Sequence, residues 1–209
     1  MKKRRILRCA QEVFGQYGYH AATVKMIAEK AGVAFGLVAH HFGSKENLFL
    51  RAGFDMVDQA MAAICSRPEK PENGLEDVGL FIQAYLDFTL EHAAAFPILI
   101  RCSPFSDVDL DFARERIAEK FGDFLLDISR RLDRGMRDGS VRQAPLMETA
   151  ILVYGGIVSA VRTRFLTPYR LPRLYAETKR YALEAIRARE EDPAPLQPVS
   201  VFGKGEMID

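Results

Sequence analysis

The side chains best suited to chemistry in this sequence lie near its beginning. His20, His40 and His41 fall within the first 41 residues, together with a basic run at residues 2–8. His40 and His41 are adjacent, so on a helix they point about 100° apart and cannot hold one metal ion as an i, i+4 pair would. Such residues instead suit contact with an external anion, and the phosphates of a nucleic acid are one.

The sequence offers little for catalysis. It contains no P-loop, GxGxxG or GxSxG stretch. The acidic residues Asp107, Asp109 and Asp111 lack the glycine and the distal glutamate of a calcium loop. We therefore expect no catalytic residue, no metal site and no cofactor.

The three cysteines indicate a reducing compartment. Cys9, Cys65 and Cys102 are odd in number and have no CxxC spacing, which disfavours a disulfide framework or a zinc site. Cys9 and Cys65 fall in apolar helical patterns, so we expect small core residues, with a redox sensor as the alternative. The expected location is the cytoplasm.

Residues 23–42 have the pattern of two short helices joined by a turn. Thr23 is placed to cap the first helix, and Gly32 permits the backbone conformation that ends it. The inward positions recur at helical spacing: Val24, Ile27, Ala28 and Ala31 in the first helix, Val38 and Phe42 in the second. The pattern predicts a helix-turn-helix whose second helix presents its outer face to a DNA groove.

The outward residues of this motif have chemical types that suit DNA. Basic side chains and backbone N–H groups at helix starts can bind phosphates, whereas Phe35, Leu37 and Ala39 can contact thymine methyl groups. The predicted DNA-binding set is Arg4, Arg5, Thr23, Lys25, Ala34, Phe35, Gly36, Leu37, Ala39, His40, His41 and Lys45. Two alternatives stay open: Leu37 packs on the preceding helix, and the basic start of the chain only aids solubility.

Residues 6–50 resemble the TetR family of bacterial transcriptional regulators. The resemblance lies in Phe14-Gly15, Gly18-Tyr19, Ile27-Ala28, Ala31-Gly32-Val33, Gly36, His41-Phe42 and Ser44-Lys45-Glu46. Phe35 and Ala39 depart from the lysine and tyrosine that are frequent in the family, which bears on the bases that are read. The resemblance implies a dimer formed by the last two helices, and a ligand in the body that shifts the helix at 45–65.

The charge distribution divides the chain. Residues 1–47 carry a net charge of +5 and the remainder −4, so only the first part suits a polyanion. We predict an all-α protein of about nine helices, with a three-helix helix-turn-helix head and a C-terminal helical bundle. The expected domains are a DNA-binding head at 1–47, a ligand-binding and dimerisation domain at 48–190, and a flexible tail at 191–209.

The body is predicted to be helical throughout, because no stretch alternates as a half-buried strand does. Gly18 is expected to end the first helix. The later helices are expected at about 45–65, 75–93, 98–102, 109–137, 146–166 and 171–190. Paired glycines at 155 and 156 indicate close approach of another helix, so the last two helices predict a homodimer, with packing inside one chain as the alternative. The apolar run at 149–161 is too short to span a bilayer, so no membrane association is expected.

The aromatic residues of the body could enclose a pocket for an apolar or aromatic molecule with an acidic group. The candidate ligand-binding residues are Tyr85, Phe88, His92, Arg101, Phe121, Tyr154 and Arg162. The arginines could equally pair with Glu91 or Asp87. Two functions follow: a repressor released from a palindromic operator by a small ligand, or a constitutive or architectural DNA-binding dimer with a filled core.

Overall fold

The computed structural model describes residues 2–104, 106 and 113–189. Within them lie nine α-helices and no strand longer than an isolated bridge between Val141 and Arg187, which confirms the all-α prediction. The helices are α1 (Lys2–Ala21), α2 (Val24–Ala31), α3 (Phe35–Phe42), α4 (Lys45–Cys65), α5 (Gly74–Glu91), α6 (Pro97–Arg101), α7 (Arg114–Asp138), α8 (Leu146–Leu166) and α9 (Leu174–Ile186).

The helix boundaries in the head follow from local side-chain chemistry. The Thr23 hydroxyl accepts a 3.1 Å hydrogen bond from the Met26 N–H at the start of α2, and the Ser44 hydroxyl accepts one of 3.1 Å from the Asn47 N–H at the start of α4. Gly32 ends α2 with φ of 59° and ψ of 44°, a left-handed conformation that glycine adopts without strain.

Gly18 interrupts the first helix, as expected. Its backbone is non-helical, with φ of 77° and ψ of 173°, and a short second helical segment follows as far as Ala21. Glycine permits the kink because it has no Cβ to clash in this conformation. The span Lys2–Ala21 therefore consists of a long helix and a short helical segment that takes a new direction after Gly18.

Helix α4 belongs to the head and to the body at once. On the head side, Gln11 of α1 donates hydrogen bonds to the Ala52 carbonyl at 3.1 Å and to the Asp55 carboxylate at 2.9 Å. On the body side, Lys120 of α7 pairs with Asp58. A tilt of α4 therefore changes its contacts with both the head and the body.

The body is held together by a close crossing of α5 and α7. A Cβ at Gly74 would lie 2.1 Å from the backbone nitrogen of Gly135, so only glycine fits at this crossing. Asp77 of α5 pairs with Arg131 and with Arg134 of α7, the latter at 3.1 Å. These contacts fix the two central helices of the bundle.

Several boundaries differ from the sequence-based ones. The last helix spans Leu174–Ile186 and not 171–190, because Arg187 takes an extended conformation and pairs with Val141. Helix α7 begins at Arg114, while the expected start at 109–112 and the expected tail at 191–209 lie outside the described residues.

One further expectation needs correction, and one alternative is not supported. Cys65 is exposed at the end of α4, because it lies beside the buried face that ends at Ile64 and not on it, whereas Cys9 and Cys102 are buried. Within the described chain, no other helix approaches Gly155 or Gly156, since a Cβ at either would meet nothing within 4 Å. The close approach therefore does not occur inside one chain.

Candidate nucleic-acid interface and body cavity

Helix α3 buries one face and exposes the other. Val38 and Phe42 point into the core of the head, while Ala39, His40 and His41 are exposed. At the remaining predicted positions, Phe35 is 57% exposed, Leu37 is half-buried, and Ala34 and Gly36 are exposed. Leu37 is thus partly packed on the head and partly accessible from outside. The exposed ring of Phe35 is therefore accessible to an apolar group outside the chain.

The start of α3 is accessible to a ligand or groove. Ala34 occupies the N-cap position and makes no side-chain hydrogen bond to the free N–H groups of the first turn. A Cβ added to Gly36 would meet nothing within 4 Å, so open space lies beside it. The first turn can therefore approach a phosphate closely.

Lys45 is held at the edge of this surface by the end of α1. Its ammonium lies 4.7 Å from the centroid of the Tyr19 ring and donates a 3.2 Å hydrogen bond to the His20 carbonyl. The Tyr19 hydroxyl in turn donates to the Glu46 carboxylate at 2.8 Å. Burial, with Glu46 nearby, raises the pKa of Tyr19 to about 12, so the phenol stays neutral and keeps this arrangement at physiological pH.

The other basic candidates are more loosely placed. Lys25 is exposed and lies 3.9 Å from Glu29, and Arg4 is exposed at the start of α1. The Arg5 guanidinium lies 2.7 Å from the position that a Cβ on Gly32 would take, so it sits over the turn between α2 and α3. Thr23 is engaged in capping α2 through its hydroxyl oxygen.

Four of the seven candidate ligand-binding residues meet at one cavity in the body. Tyr85, Phe121, Tyr154 and Arg162 line an internal space of about 20 Å³. Burial raises the pKa of Tyr85 and of Tyr154, so both phenols are neutral hydrogen-bonding groups. The space has about the size of one water molecule, well below the roughly 300 Å³ of an ordinary ligand pocket.

The other three candidates lie elsewhere. His92 stacks on Phe88 with ring centroids 4.1 Å apart, and neither lines the cavity. Arg101 does not face the cavity: its Nε donates to the Gly15 carbonyl of α1 at 3.3 Å, while Asp87, considered as its partner, pairs with Arg67. Arg101 does not reach the cavity because it is the last residue of α6 and lies on the side of that helix that packs against α1.

Sequence reasoning missed the contribution of α6 to the cavity wall. Leu99, Ile100 and Ser103 line the space, as do Val158 and Val161 of α8. The signal was available for α8, whose positions 154, 158, 161 and 162 share one helical face. It was weak for α6, because a five-residue helix has too few turns to show a period.

The described geometry defines a protein with an N-terminal helix-turn-helix, whose second helix exposes one face, and a helical body joined to it through α4. Residues 6–52 match the family of bacterial regulatory proteins called the tetR family. The chain is also 40% identical over 76 residues to the transcriptional repressor AcnR of Corynebacterium glutamicum, and 30% identical over 89 residues to the transcriptional regulator UidR of Escherichia coli K12. These matches cover 36% and 43% of this chain, and 37% and 43% of the relatives. The chain thus matches well under half the length of these curated relatives.

Solved structures extend the likeness to the whole fold. The fatty acid degradation regulator FadR of Bacillus halodurans superimposes with a TM-score of 0.76 at 20% identity, over 90% of this chain and 97% of that one. A TetR-family regulator of Shewanella sp. PV-4 gives a TM-score of 0.72 at 22% identity, over 90% and 100%. The helix-turn-helix at residues 6–52 is thus that of the TetR family, and the overall fold is the one that these solved regulators share.

Proposed function

We propose that the protein is a transcriptional repressor that binds a palindromic operator as a homodimer. The observation that carries this proposal is the exposed face of α3, with Phe35 and the two histidines outward and Lys45 fixed at its edge. Phosphate contacts position such a helix, and the exposed apolar side chains contact base edges in the major groove. The relatives matched in the head are named as transcriptional regulators or repressors, which supports the same role.

The dimer is proposed from an uncovered apolar surface on α8 and α9. Leu152 is 76% exposed and Tyr181 74% exposed, and they line a surface groove of about 640 Å³ together with Gly156. Exposed apolar groups of this size are costly in water, and a second copy would bury them. By length and composition alone α8 could also cross a membrane, but its other face is built into the body through Val153 and Ile157.

The operator proposal is tested by selecting bound DNA from random duplexes. We expect an inverted repeat whose half-sites lie about 34–36 Å apart, one helical turn, as two symmetric heads require. Phe35→Ala should relax the preference at one base position in each half-site. A selected sequence without two-fold symmetry, or a profile unchanged in the variant, would contradict the proposed reading face.

The dimer is tested by Gly156→Leu, measured by analytical ultracentrifugation at low micromolar concentration. The variant should sediment as a monomer and lose operator affinity, because the added side chain occupies the proposed contact. Gly122→Leu on α7 is the matched control, since a Cβ at Gly122 also meets nothing within 4 Å. A variant at 156 that remains dimeric would place the interface elsewhere.

Release by a small ligand is the finer part of the proposal. A ligand among Tyr85, Phe121 and Tyr154 would have to widen the cavity and shift α4, misplacing both heads. Because coupling is reciprocal, operator DNA must weaken ligand binding by the same factor. Calorimetry of a verified ligand with and without operator measures this factor, and equal affinities would reject the switch.

The constitutive alternative is favoured by one observation, the small volume of the cavity. A space of about 20 Å³ is that of a filled core, and a dimer of this form needs no inducer. A screen by thermal denaturation separates the two functions. An apolar acid that raises the melting temperature and lowers operator affinity supports the switch, whereas a screen without such a compound supports the constitutive regulator.

A further inference from the structure

A second groove lies where α5, α8 and the loop before α9 meet. It has a volume of about 460 Å³ and shares no lining residue with the cavity around Tyr154. Its lining is apolar and aromatic apart from two arginines, and three of its ten residues are aromatic. Phe165 and Tyr175 are half-buried and packed against the core, while Tyr169 is 66% exposed. A groove above about 300 Å³ can hold a small organic molecule.

The charges in this groove are of one sign. Arg164 and Arg170 line it, and none of its lining residues is acidic. Among the described residues, neither arginine lies within 4.0 Å of a carboxylate, whereas the neighbouring Arg173 pairs with Glu177 at 2.9 Å. Two uncompensated guanidinium groups beside an apolar floor favour an anion with an apolar body.

One of the two arginines is held in place before any ligand arrives. The Arg164 guanidinium lies 5.5 Å from the centroid of the Tyr175 ring. The Tyr175 hydroxyl is 2.9 Å from the Thr89 hydroxyl, which donates to the Leu86 carbonyl at 2.7 Å, so Tyr175 donates to Thr89. Because Thr89 is buried, this chain of hydrogen bonds fixes the ring, and the stacked guanidinium keeps its N–H edge available to a bidentate acceptor.

We propose that this groove binds a small organic anion with a flat aromatic body. Its carboxylate, sulfonate or phosphate head contacts Arg164 and Arg170, and its rings lie against Phe165 and Tyr169. The site is separate from the inner cavity, so its occupancy does not depend on whether that cavity opens. It is also separate from the face of α3, so it does not require the proposed operator.

The proposal is tested by fluorescence titration of the full chain with 8-anilinonaphthalene-1-sulfonate, an aromatic anion. We expect one tight site per chain, and a loss of affinity of about tenfold or more in the double variant Arg164→Gln, Arg170→Gln, because two charge-assisted hydrogen bonds are removed. Arg173→Gln, on the same loop but outside the groove, is the matched control and should bind the probe as the unaltered chain does. Circular dichroism and thermal unfolding establish that each variant is folded.

A neutral analogue, N-phenyl-1-naphthylamine, distinguishes anion recognition from adsorption to apolar surface. Its affinity should be the same in the unaltered chain and in the double variant. The proposal is overturned if the double variant binds the sulfonate as tightly as the unaltered chain. It is also overturned if the double variant dissociates into monomers in ultracentrifugation, since a second copy then covers the groove. A third contrary result is a shallower salt dependence of the binding of the double variant to random duplex DNA, since the two arginines then bind DNA phosphates.

Discussion

Replacing Lys45 should weaken binding to every DNA sequence alike and reduce its salt dependence. The ammonium is held by the Tyr19 ring at 4.7 Å and the His20 carbonyl at 3.2 Å, so little side-chain entropy remains to be lost when it meets a phosphate. Each neutralised phosphate contributes about 0.9 to the slope of log K against log[salt], so Lys45→Ala in both chains of a dimer should lower the slope by about 1.8. Between 50 and 200 mM salt, the unaltered protein should therefore lose about 12-fold more affinity than the variant.

The assay is fluorescence anisotropy with one labelled duplex at four or more salt concentrations. Lys70→Ala, an exposed lysine between α4 and α5, is the control for a simple change of net charge and should leave the slope unchanged. Tyr19→Phe keeps the aromatic ring beneath Lys45 and should nearly preserve the slope, whereas Tyr19→Ala should reduce it. A Lys45→Ala protein with an unchanged slope, or an equal loss for Lys70→Ala, would refute the placement of Lys45 on DNA.

Three further predictions concern stability and reactivity. Gly74→Ala should destabilise the protein by about 1–3 kcal/mol or more in urea titrations, because its Cβ would meet the Gly135 backbone. Gly122→Ala is the comparison: its Cβ would lie in open space, so it should stabilise the protein by about 0.5–1 kcal/mol. Equal effects of the two substitutions would disprove the close crossing of α5 and α7. At neutral pH only the thiol of exposed Cys65 should react quickly with dithionitrobenzoate in the folded chain, and all three thiols should react after unfolding. The reason is that burial raises the pKa of Cys9 and raises that of Cys102 to about 12. Rapid reaction of all three thiols in the folded chain would contradict this prediction. The pKa of Tyr19 is higher in the folded chain than in the unfolded chain, so the neutral phenol stabilises the fold. This contribution to the free energy of unfolding is full below pH 10 and is lost as pH rises towards about 12. Tyr19→Phe should make the free energy of unfolding depend less on pH in this range, and an unchanged dependence would assign the loss to other groups.

The head was predictable because its signals are local. A capping hydroxyl at Thr23, a glycine at 32 and an apolar pair at Val38 and Phe42 each act within a few residues, and all appear in the structure as expected. Helix α8 was predicted with its observed bounds for the same reason, since its apolar pattern ends at both sides with polar residues and proline. Local sequence and global fold agree in these segments.

The missed features depend on contacts between distant parts of the chain. No local pattern shows that Arg101 turns towards the Gly15 carbonyl, or that Cys65 lies on the exposed side of α4. No local pattern marks Gly74 as a point of close approach, because its contact, Gly135, lies 61 residues further along the chain. Helical periodicity gives the face of a helix but does not identify the element that packs on it.

The position of α6 makes it a direct link between the cavity and the head. Leu99 and Ile100 form part of the cavity wall, while Arg101 of the same helix binds α1 and the Cys102 sulfur lies 2.6 Å from the Cβ position of Gly53 in α4. A cavity of about 20 Å³ can accept a ligand of ordinary size only if part of its wall moves. The five-residue α6 is the shortest helix in that wall, and its displacement would break contacts with two head helices at once. Ligand binding and DNA release would then be a single movement, and a ligand that enlarges the cavity without moving α6 should leave operator affinity unchanged.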